Sequence, residues 1–456
     1  MFLKSLAIHN DDQLIREISF QKGINLIIDE TTSELKTESG NGVGKTTVLR
    51  LIDFCLDGKG KNIYLDPEFK IANLKVEEFL KGNNIIITLI LIEDIDDDGS
   101  RTIEIKRNFL QRSKKIQTIN GENYSSDSFS SKLKELFFDT TADKPSFRQL
   151  KSKNIRDEKN KLIHTIRVLE PNVTSDATYE ALHLFWFGVD VDTSKDKLVR
   201  DKNLEERLQT RLRRDSNLSQ ITQFLVIINK EIETLSKKKE PFNLNEKYEG
   251  DLRNLNQIKF QNNANEDLQV IIRDLNAFYE KKGNFEEQKK IWETSNAHLK
   301  HINTRLQEIN DNIFLKDEII QKRIWEFNQY FSSISSRLDG VHSLLRADNV
   351  DGVYKFRIGN IEGNPGTGTK KSQMASFDLA YIKFADAIGM PCLHFVLQDQ
   401  IENVHSNQIT NLLTEIVDEV NCQYILPVLR DKLPDDIDVS QFEILSLSQN
   451  EKLFKV

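Results

Sequence analysis

Ser39-Gly40-Asn41-Gly42-Val43-Gly44-Lys45-Thr46-Thr47 decides how this chain is read. Before it, Gly23 opens the apolar run Ile24-Asn25-Leu26-Ile27-Ile28, which reads as a buried strand. After it, Thr46 to Phe54 reads as a helix. The glycines let the backbone curl until several N–H groups point at one phosphate, and the helix N-terminus adds partial positive charge. In that setting Lys45 would reach the terminal phosphates of a nucleotide and the Thr46 hydroxyl would bind Mg²⁺. Ser39 to Thr47 are therefore the candidate nucleotide-binding residues. Two features depart from the usual pattern: Ser39 replaces its first glycine, and Asp29 to Glu38 is longer than a strand-to-loop connection needs. The competing reading, a Gly-rich turn that merely precedes Lys-Thr, leaves the flanking strand and helix unexplained.

Outward from the loop, Phe2 to Ile8 and Leu14 to Phe20 read as strands around an Asn10-Asp11-Asp12 turn. Ile85 to Ile92 and Thr102 to Arg107 flank Asp96-Asp97-Asp98-Gly99-Ser100, a hairpin signal. Helix-rich sequence follows from about Ser146.

The middle of the chain differs in kind. Leu218, Ile221, Leu225, Ile228, Ile232 and Leu235 recur at spacings of three and four between polar residues. A second series runs Leu299, Ile302, Leu306, Ile309 and Ile313, then Ile320, Ile324, Phe327, Phe331, Ile334 and Leu338. Such seams face a partner helix. Pro241 is expected to stop the first helix, with a bend from Asn243 to Gly250, and a weaker helix from Leu252 to Glu280 to end near Gly283. An antiparallel hairpin or short bundle satisfies this pattern. As a projecting arm of roughly 60 residues it would reach about 90 Å; the alternative is a bundle folded against the globular part.

After Gly340 the strand and helix signals alternate. Val353 to Ile358 and Cys392 to Leu397 read as strands, Ser372 to Ile388 and Ile409 to Asn421 as helices, and Gln423 to Leu429 and Phe442 to Leu447 as strands. That order argues a parallel sheet. The apolar strand that ends in an acid, Phe395-Val396-Leu397-Gln398-Asp399, lies near the opposite chain end from the loop. If both serve one nucleotide, the helical middle must fold back. The expected fold is α/β: residues 1–195 and 340–456 form one head, and residues 196–339 form an inserted coiled-coil arm.

Composition agrees with this division. Of 456 residues, 38% are hydrophobic and 29% charged, with a mean hydropathy of -0.49; that is wetter than a compact enzyme. The net charge of -8 gives no bulk attraction to DNA or to anionic membrane. Cys55, Cys392 and Cys422 form no CxxC pair, so no zinc site or disulfide framework is evident, which fits a reducing cytoplasm. Met1-Phe2-Leu3-Lys4 lacks a signal-peptide layout, and Ile85 to Ile92 is far short of the ~20 residues that cross a bilayer. The expectation is a cytoplasmic protein without a membrane partner.

The P-loop, the distant acid-terminated strand and the heptads between them resemble the SMC/RecN-like branch of the ABC ATPases. A closer resemblance is to the ATPase component of bacterial ABC-three-component and Lamassu-type antiphage defence systems. It is carried by Asn41 to Phe69, by Pro145-Ser146-Phe147-Arg148-Gln149-Leu150 and by Ser372 to Gln408. The chain carries no Asn-Lys-x-Asp guanine-reading motif. The resemblance implies ATP and Mg²⁺ as cofactors and a head-to-head dimer closing on nucleotide. It also implies further subunits of a defence complex, including an effector.

It implies residue roles as well. Asp399 would be the acid that holds Mg²⁺ through a water. Gln149 would sense the metal, or else be only an exposed helix-start residue. The family's general base usually follows the metal-binding acid, but here that position is Gln400, which cannot accept a proton as a carboxylate does. Three explanations stand: Glu402 substitutes as the base, Gln400 is an engineered trap, or the head is tuned to bind more than to hydrolyse. Gly366-Thr367-Gly368-Thr369-Lys370-Lys371 occupies the place of the signature loop, with Gly368 and Thr369 candidate contacts to the opposite head's γ-phosphate; a plain flexible loop is the alternative. Asn403-Val404-His405 falls near the D-loop, and Pro427-Val428-Leu429-Arg430 stands where a switch histidine is expected. Lys195, Lys197, Arg200, Lys202, Arg207, Arg211, Arg213 and Arg214 make the arm base basic. They read as a solvated face or as sequence-independent phosphate contacts to DNA.

Overall fold

The computed structural model describes residues 1–11, 13–30, 43–66, 71–156, 161–169, 174–190, 194–215, 218–246, 257–360, 367–399, 415–433 and 438–455. The chain divides into two compact units, one of Met1–Thr193 with Asp311–Val456 and one of Ser194–Asn310.

In the first unit, β1 (Phe2–Asn10) and β2 (Gln13–Ser19) pair as a hairpin and β3 (Gly23–Asp29) follows. Then come α1 (Lys45–Cys55), α2 (Lys61–Tyr64) and α3 (Leu74–Gly82). The strands β4 (Ile85–Ile92), β5 (Thr102–Asn108), β6 (Gln117–Ile119) and β7 (Glu122–Asn123) complete a six-stranded antiparallel sheet in the order β2-β1-β4-β5-β6-β7. The Asp96–Ser100 turn joins β4 to β5 as the sequence indicates, with Ile92 opposite Thr102. Next are α4 (Ser126–Phe138), α5 (Phe147–Leu150), the two-residue β8 (Ile155–Arg156) and α6 (Asp176–Trp186).

The second unit contains α7 (Lys195–Asp215), α8 (Leu218–Glu246) and most of α9 (Gln257–Phe314). It is an antiparallel pairing. Glu205 meets His298, Gln209 meets Asn296, Ile221 and Leu225 pack on Trp292, and Ile228 and Ile232 pack on Leu275. Partners that descend as the first helices ascend are what the two apolar seams require.

The chain re-enters the first unit and continues as α10 (Asp317–Asp339), β9 (Ser343–Val350), β10 (Val353–Asn360) and α11 (Thr367–Ala387). Three strands follow: β11 (Phe395–Gln398), β12 (Gln423–Leu429) and β13 (Glu443–Leu447). β9 and β10 form a separate antiparallel pair, and the second large sheet has the order β13-β3-β12-β11-β8, every neighbouring pair parallel. All seven residues of β3 are buried, as expected of a strand inside a parallel sheet covered on both faces. Helix α1 packs on β3 and β12 of this sheet and on β4 and β5 of the other. Its burial from Val48 to Cys55, interrupted only at Arg50, follows from that placement between layers. The architecture is α/β, with one unit built from both chain ends and a helical insertion between them. Among the described residues no helix is long and apolar enough to cross a membrane.

Five expectations need correction. The arm does not extend to residue 339, because Ile320, Ile324, Phe327, Phe331, Ile334 and Leu338 are buried within the head unit. Phe327 there meets Phe377 of α11 at 5.1 Å and Phe187 at 5.4 Å between ring centroids. A spacing near 3.5 residues marks an apolar face without saying whether a lone helix or a whole core covers it. Pro241 does not end α8, which runs to Glu246; a proline removes one backbone hydrogen bond, and a long packed helix survives that loss. Gly283 likewise lies inside α9, where tertiary packing outweighs a propensity cost of about 1 kcal/mol. Of the helix expected over 409–421, residues 409–414 lie outside the described residues, and Val417–Glu419 is a 3₁₀ turn. The bend expected over 243–250 overlaps α8 as far as Glu246, and the rest lies outside the described residues.

One core histidine gives the fold a pH dependence. His183 of α6 packs on Phe356, Trp186 and Tyr179, with ring centroids 4.7, 5.3 and 5.9 Å away. Burial pushes its imidazole from 6.5 down to about 4, against a smaller upward pull from the Ile166 and Tyr179 backbone. Between those values the unfolded chain holds a proton that the folded chain excludes, so stability falls as pH drops from 6.5 towards 4. The shift corresponds to about 3 kcal/mol. Urea denaturation midpoints across that window should fall for the wild type and fall less for His183→Phe; parallel curves would remove His183 as the cause.

Candidate functional site

Because β3, β12, β11 and β8 run parallel, their C-terminal ends share one edge. Asp29 ends β3 opposite Leu429 of β12, and Gln398 ends β11 opposite Arg156 of β8. β12 lies between β3 and β11, so Asp399 stands two strand spacings, about 10 Å, across the sheet from β3.

At this edge the chain re-emerges at Val43 and starts α1 at Lys45. Gly44 has φ +104°, which a side-chain-bearing residue rarely adopts. A Cβ there would stand 2.7 Å from Leu453 Cβ, and the Leu453 N–H donates to the Val43 carbonyl at 3.0 Å. The loop's end is thus clamped by the last described segment. Lys45 Nζ lies 3.7 Å from Asp29 Oδ2; the carboxylate is wholly buried and the lysine 15% exposed. The N-cap is Gly44, which has no side chain to offer, and the first turn of α1 carries no acid, so the positive end of the helix favours an anion. Gly44, Lys45 and half-buried Thr46 and Thr47 therefore fit a polyphosphate with its Mg²⁺. Ser39, Gly40, Asn41 and Gly42 lie outside the described residues.

Asp399 is 8% exposed and follows β11 directly; its N–H donates to the Arg156 carbonyl at 3.0 Å. Gln400, Glu402 and His405 lie outside the described residues. Gly368 and Thr369 fall in the first turn of α11 and not in a loop before it. From Lys371 to Ile382 that helix is buried on all sides, and such packing carries it back through residues of poor helical propensity.

Gln149 is not brought to this edge. It sits on α5, ahead of β8, and closes a capping box: its Oε1 accepts from the Ser146 N–H at 2.8 Å while Ser146 Oγ accepts from the Gln149 N–H at 3.4 Å. Its neighbour Arg148 grips Asp57, beyond the far end of α1, with Nε 2.9 Å from Oδ2. An eleven-residue helix separates that end from Lys45 by about 16 Å. The Ser-x-x-Gln pattern belonged to helix capping, a signal already present in Ser146-Phe147-Arg148-Gln149.

The residue missed at the edge is Arg156. Its Nε and Nη2 bond the Asp378 carboxylate of α11 at 2.5 and 2.7 Å. Nη1 donates to the Lys161 and His164 carbonyls and Nη2 to that of Thr165, each at 3.0 Å. Both side chains are essentially sealed, at 0% and 2% exposure. The pair ties the strand beside Asp399 to the helix that begins at Thr367. The one sequence signal was an aspartate amid the apolar residues of Met374 to Phe384.

A family model described as an uncharacterised protein conserved in bacteria (DUF2326) matches residues 333–456. No curated protein matches the chain. Among solved structures the chain is similar to the Smc head domain with an extended coiled coil from Pyrococcus furiosus, solved bound to the C-terminal domain of ScpA. That match has 14% identity, covers 95% of this chain and 90% of that one, and has a TM-score of 0.44. The Smc head domain with a coiled coil and joint from Pyrococcus yayanosii matches at 14% identity over 96% and 94%, with a TM-score of 0.48. The recombination mediator protein RecF with ATP, from the RecFOR pathway, matches at 12% identity over 96% and 93%, with a TM-score of 0.37.

Proposed function

We propose that the chain is an SMC-like ATP-binding protein whose heads dimerise around nucleotide and so gate a DNA-sensing complex of the antiphage-defence type. One observation carries this reading: the strand leading to Lys45 and the strand followed by Asp399 end at the same edge of one parallel sheet, though they come from opposite chain ends. Lys45 and the first-turn amides of α1 bind the terminal phosphates. The Thr46 hydroxyl and, through a water, Asp399 hold Mg²⁺. Bound ATP supplies the phosphates that bridge two heads, each facing the Gly368–Thr369 turn of the other. Partner subunits, including an effector, would read the closed state.

Gln400 favours a second reading, an ATP-binding scaffold that does not hydrolyse. A general base typically contributes 10²–10⁴-fold to turnover. Steady-state ATPase assays of wild type, Gln400→Glu and Glu402→Gln separate the cases. If Gln400 blocks hydrolysis, Gln400→Glu raises turnover by about 100-fold or more. A wild-type rate lost in Glu402→Gln assigns Glu402 as base. Absence of turnover in all three leaves the scaffold.

DNA contact would run along α7, whose Arg207, Arg211 and Arg213 recur along one helix. Backbone-only contact implies affinity that drops steeply with salt and ignores sequence. Fluorescence anisotropy with two unrelated duplexes should give equal affinities, and the triple Arg→Glu variant should lose binding. Tight binding that persists at high salt would contradict the assignment.

A further inference from the structure

At the opposite edge of the parallel sheet, Asp386, Cys392 and His394 bring one carboxylate oxygen, one thiol sulfur and one imidazole nitrogen within 4.8 Å of one another. We propose that these three side chains form a zinc site, with its fourth position open to solvent beside exposed Asp386. The donor set suits this ion, since thiolate, imidazole and carboxylate are its ordinary ligands.

The three donors are already grouped on one side of the sheet. His394 Nε2 is 2.8 Å from Asp386 Oδ1, and Cys392 Sγ is 3.9 Å from each ring nitrogen. Tetrahedral zinc at ordinary bond lengths separates sulfur from nitrogen by about 3.6 Å and nitrogen from oxygen by about 3.4 Å. The nitrogen–oxygen distance must open by about 0.6 Å, and sulfur and carboxylate oxygen, which lie within 4.8 Å of each other, must settle about 3.5 Å apart. Metal takes the place of the hydrogen shared by Nε2 and Asp386, and the Cys392 thiol gives up its proton, so binding releases protons. His394 is already aimed. Its Nδ1 lies 2.9 Å from the Met1 amine, its ring stacks on Phe2 at 4.7 Å, and its backbone is fixed between the Met1 carbonyl and the Gln423 N–H, both at 2.8 Å. With metal on Nε2 the ring keeps its N–H at Nδ1, which then donates to the Met1 amine in its neutral form, the place an acceptor takes beside a histidine ligand.

Asp386 lies in the last turn of α11, which Gly389 (φ +67°) closes through its N–H to the Asp386 carbonyl at 3.1 Å. The site therefore staples three elements: the end of α11, the entry to β11 and the start of β1. It stands five residues before Asp399, about 17 Å along the strand, so it braces the head without sharing the nucleotide edge.

The test uses the full-length protein stripped with chelator and titrated with Co²⁺, then with Zn²⁺. One equivalent of Co²⁺ should bind with a thiolate-to-metal charge-transfer band that Zn²⁺ abolishes, and Zn²⁺ should raise the melting temperature. Cys392→Ser should lose the band, and Asp386→Asn should weaken binding at least tenfold. Cys55→Ser should retain the band. Asp386 is exposed, so Asp386→Asn reports on the site even if Cys392→Ser fails to fold. No band in the wild type, or unchanged affinity in Asp386→Asn, overturns the site and leaves a hydrogen-bonded His–Asp pair.

Discussion

The Lys45→Ala protein should bind Mg²⁺–ATP at least about 100-fold more weakly than the wild type, a loss of about 3 kcal/mol. Lys45 is the first residue of α1 and its ammonium lies 3.7 Å from Asp29 at the end of β3. A cation so placed already belongs to the edge where the triphosphate would lie, so its contribution needs little reorganisation. Truncating one member of a desolvated charge pair typically costs about 2–5 kcal/mol. The helix terminus alone is worth about 0.3–1 kcal/mol to an anion, up to about 2 in a partly buried setting, so the amides cannot make up the loss. Equilibrium binding of a fluorescent ATP analogue, competed with ATP, measures the difference. A Lys45→Ala protein that retains wild-type affinity would remove this loop from the function. Conserved charge in Lys45→Arg should recover only part of the loss, because a planar guanidinium does not replace a compact ammonium in a tight phosphate cradle.

The part of the head legible in the sequence was the part with period. Strands such as Ile85–Ile92 and Gln423–Leu429 announce themselves by nearly continuous apolar runs, and the P-loop by its glycines between a strand and a helix. What resisted reading was polar sequence in buried places. Lys151-Ser152-Lys153-Asn154-Ile155-Arg156 has the composition of a solvated turn, yet all six residues are buried. Lys151 meets Asp53 of α1 at 2.5 Å. Lys153 lies 3.6 Å above the Tyr381 ring centre, and burial pushes its ammonium down to about 8. Each cation is balanced by a group distant in sequence, which one-dimensional pattern cannot reveal. The same holds for the end of the arm: α10 shows a heptad-like seam, and only the aromatic cluster of Phe187, Phe327 and Phe377 shows what covers it. Asp386, Cys392 and His394 carry no paired-cysteine spacing; a helix end and a strand entry bring these mixed donors together.

Asp378→Ala should destabilise the head by about 3–5 kcal/mol. The cost is not the worth of the Arg156–Asp378 pair; it is the penalty of leaving the Arg156 guanidinium sealed with only the carbonyls of Lys161, His164 and Thr165 as acceptors. Burial pushes the Asp378 carboxyl up and Arg156 pulls it down, and the bidentate geometry is that of a charge-assisted pair. Asp378→Asn keeps an acceptor but loses the charge, so its loss should be smaller. If mispaired charge is the cause, the double variant Arg156→Met, Asp378→Leu should recover most of the stability, because a buried ion pair exchanged for apolar side chains is often neutral. Urea denaturation of the wild type, Arg156→Met, Asp378→Leu and the double variant closes the cycle. A double variant as unstable as the sum of its single changes would show that the two residues act separately. Because Arg156 also holds the Asp399 amide through its carbonyl and Asp378 lies on the helix that starts at Thr367, the recovered double variant bears on function too. A stable fold with weakened ATP-dependent dimerisation would mean that the pair orients the two halves of the nucleotide edge as well as holding the core.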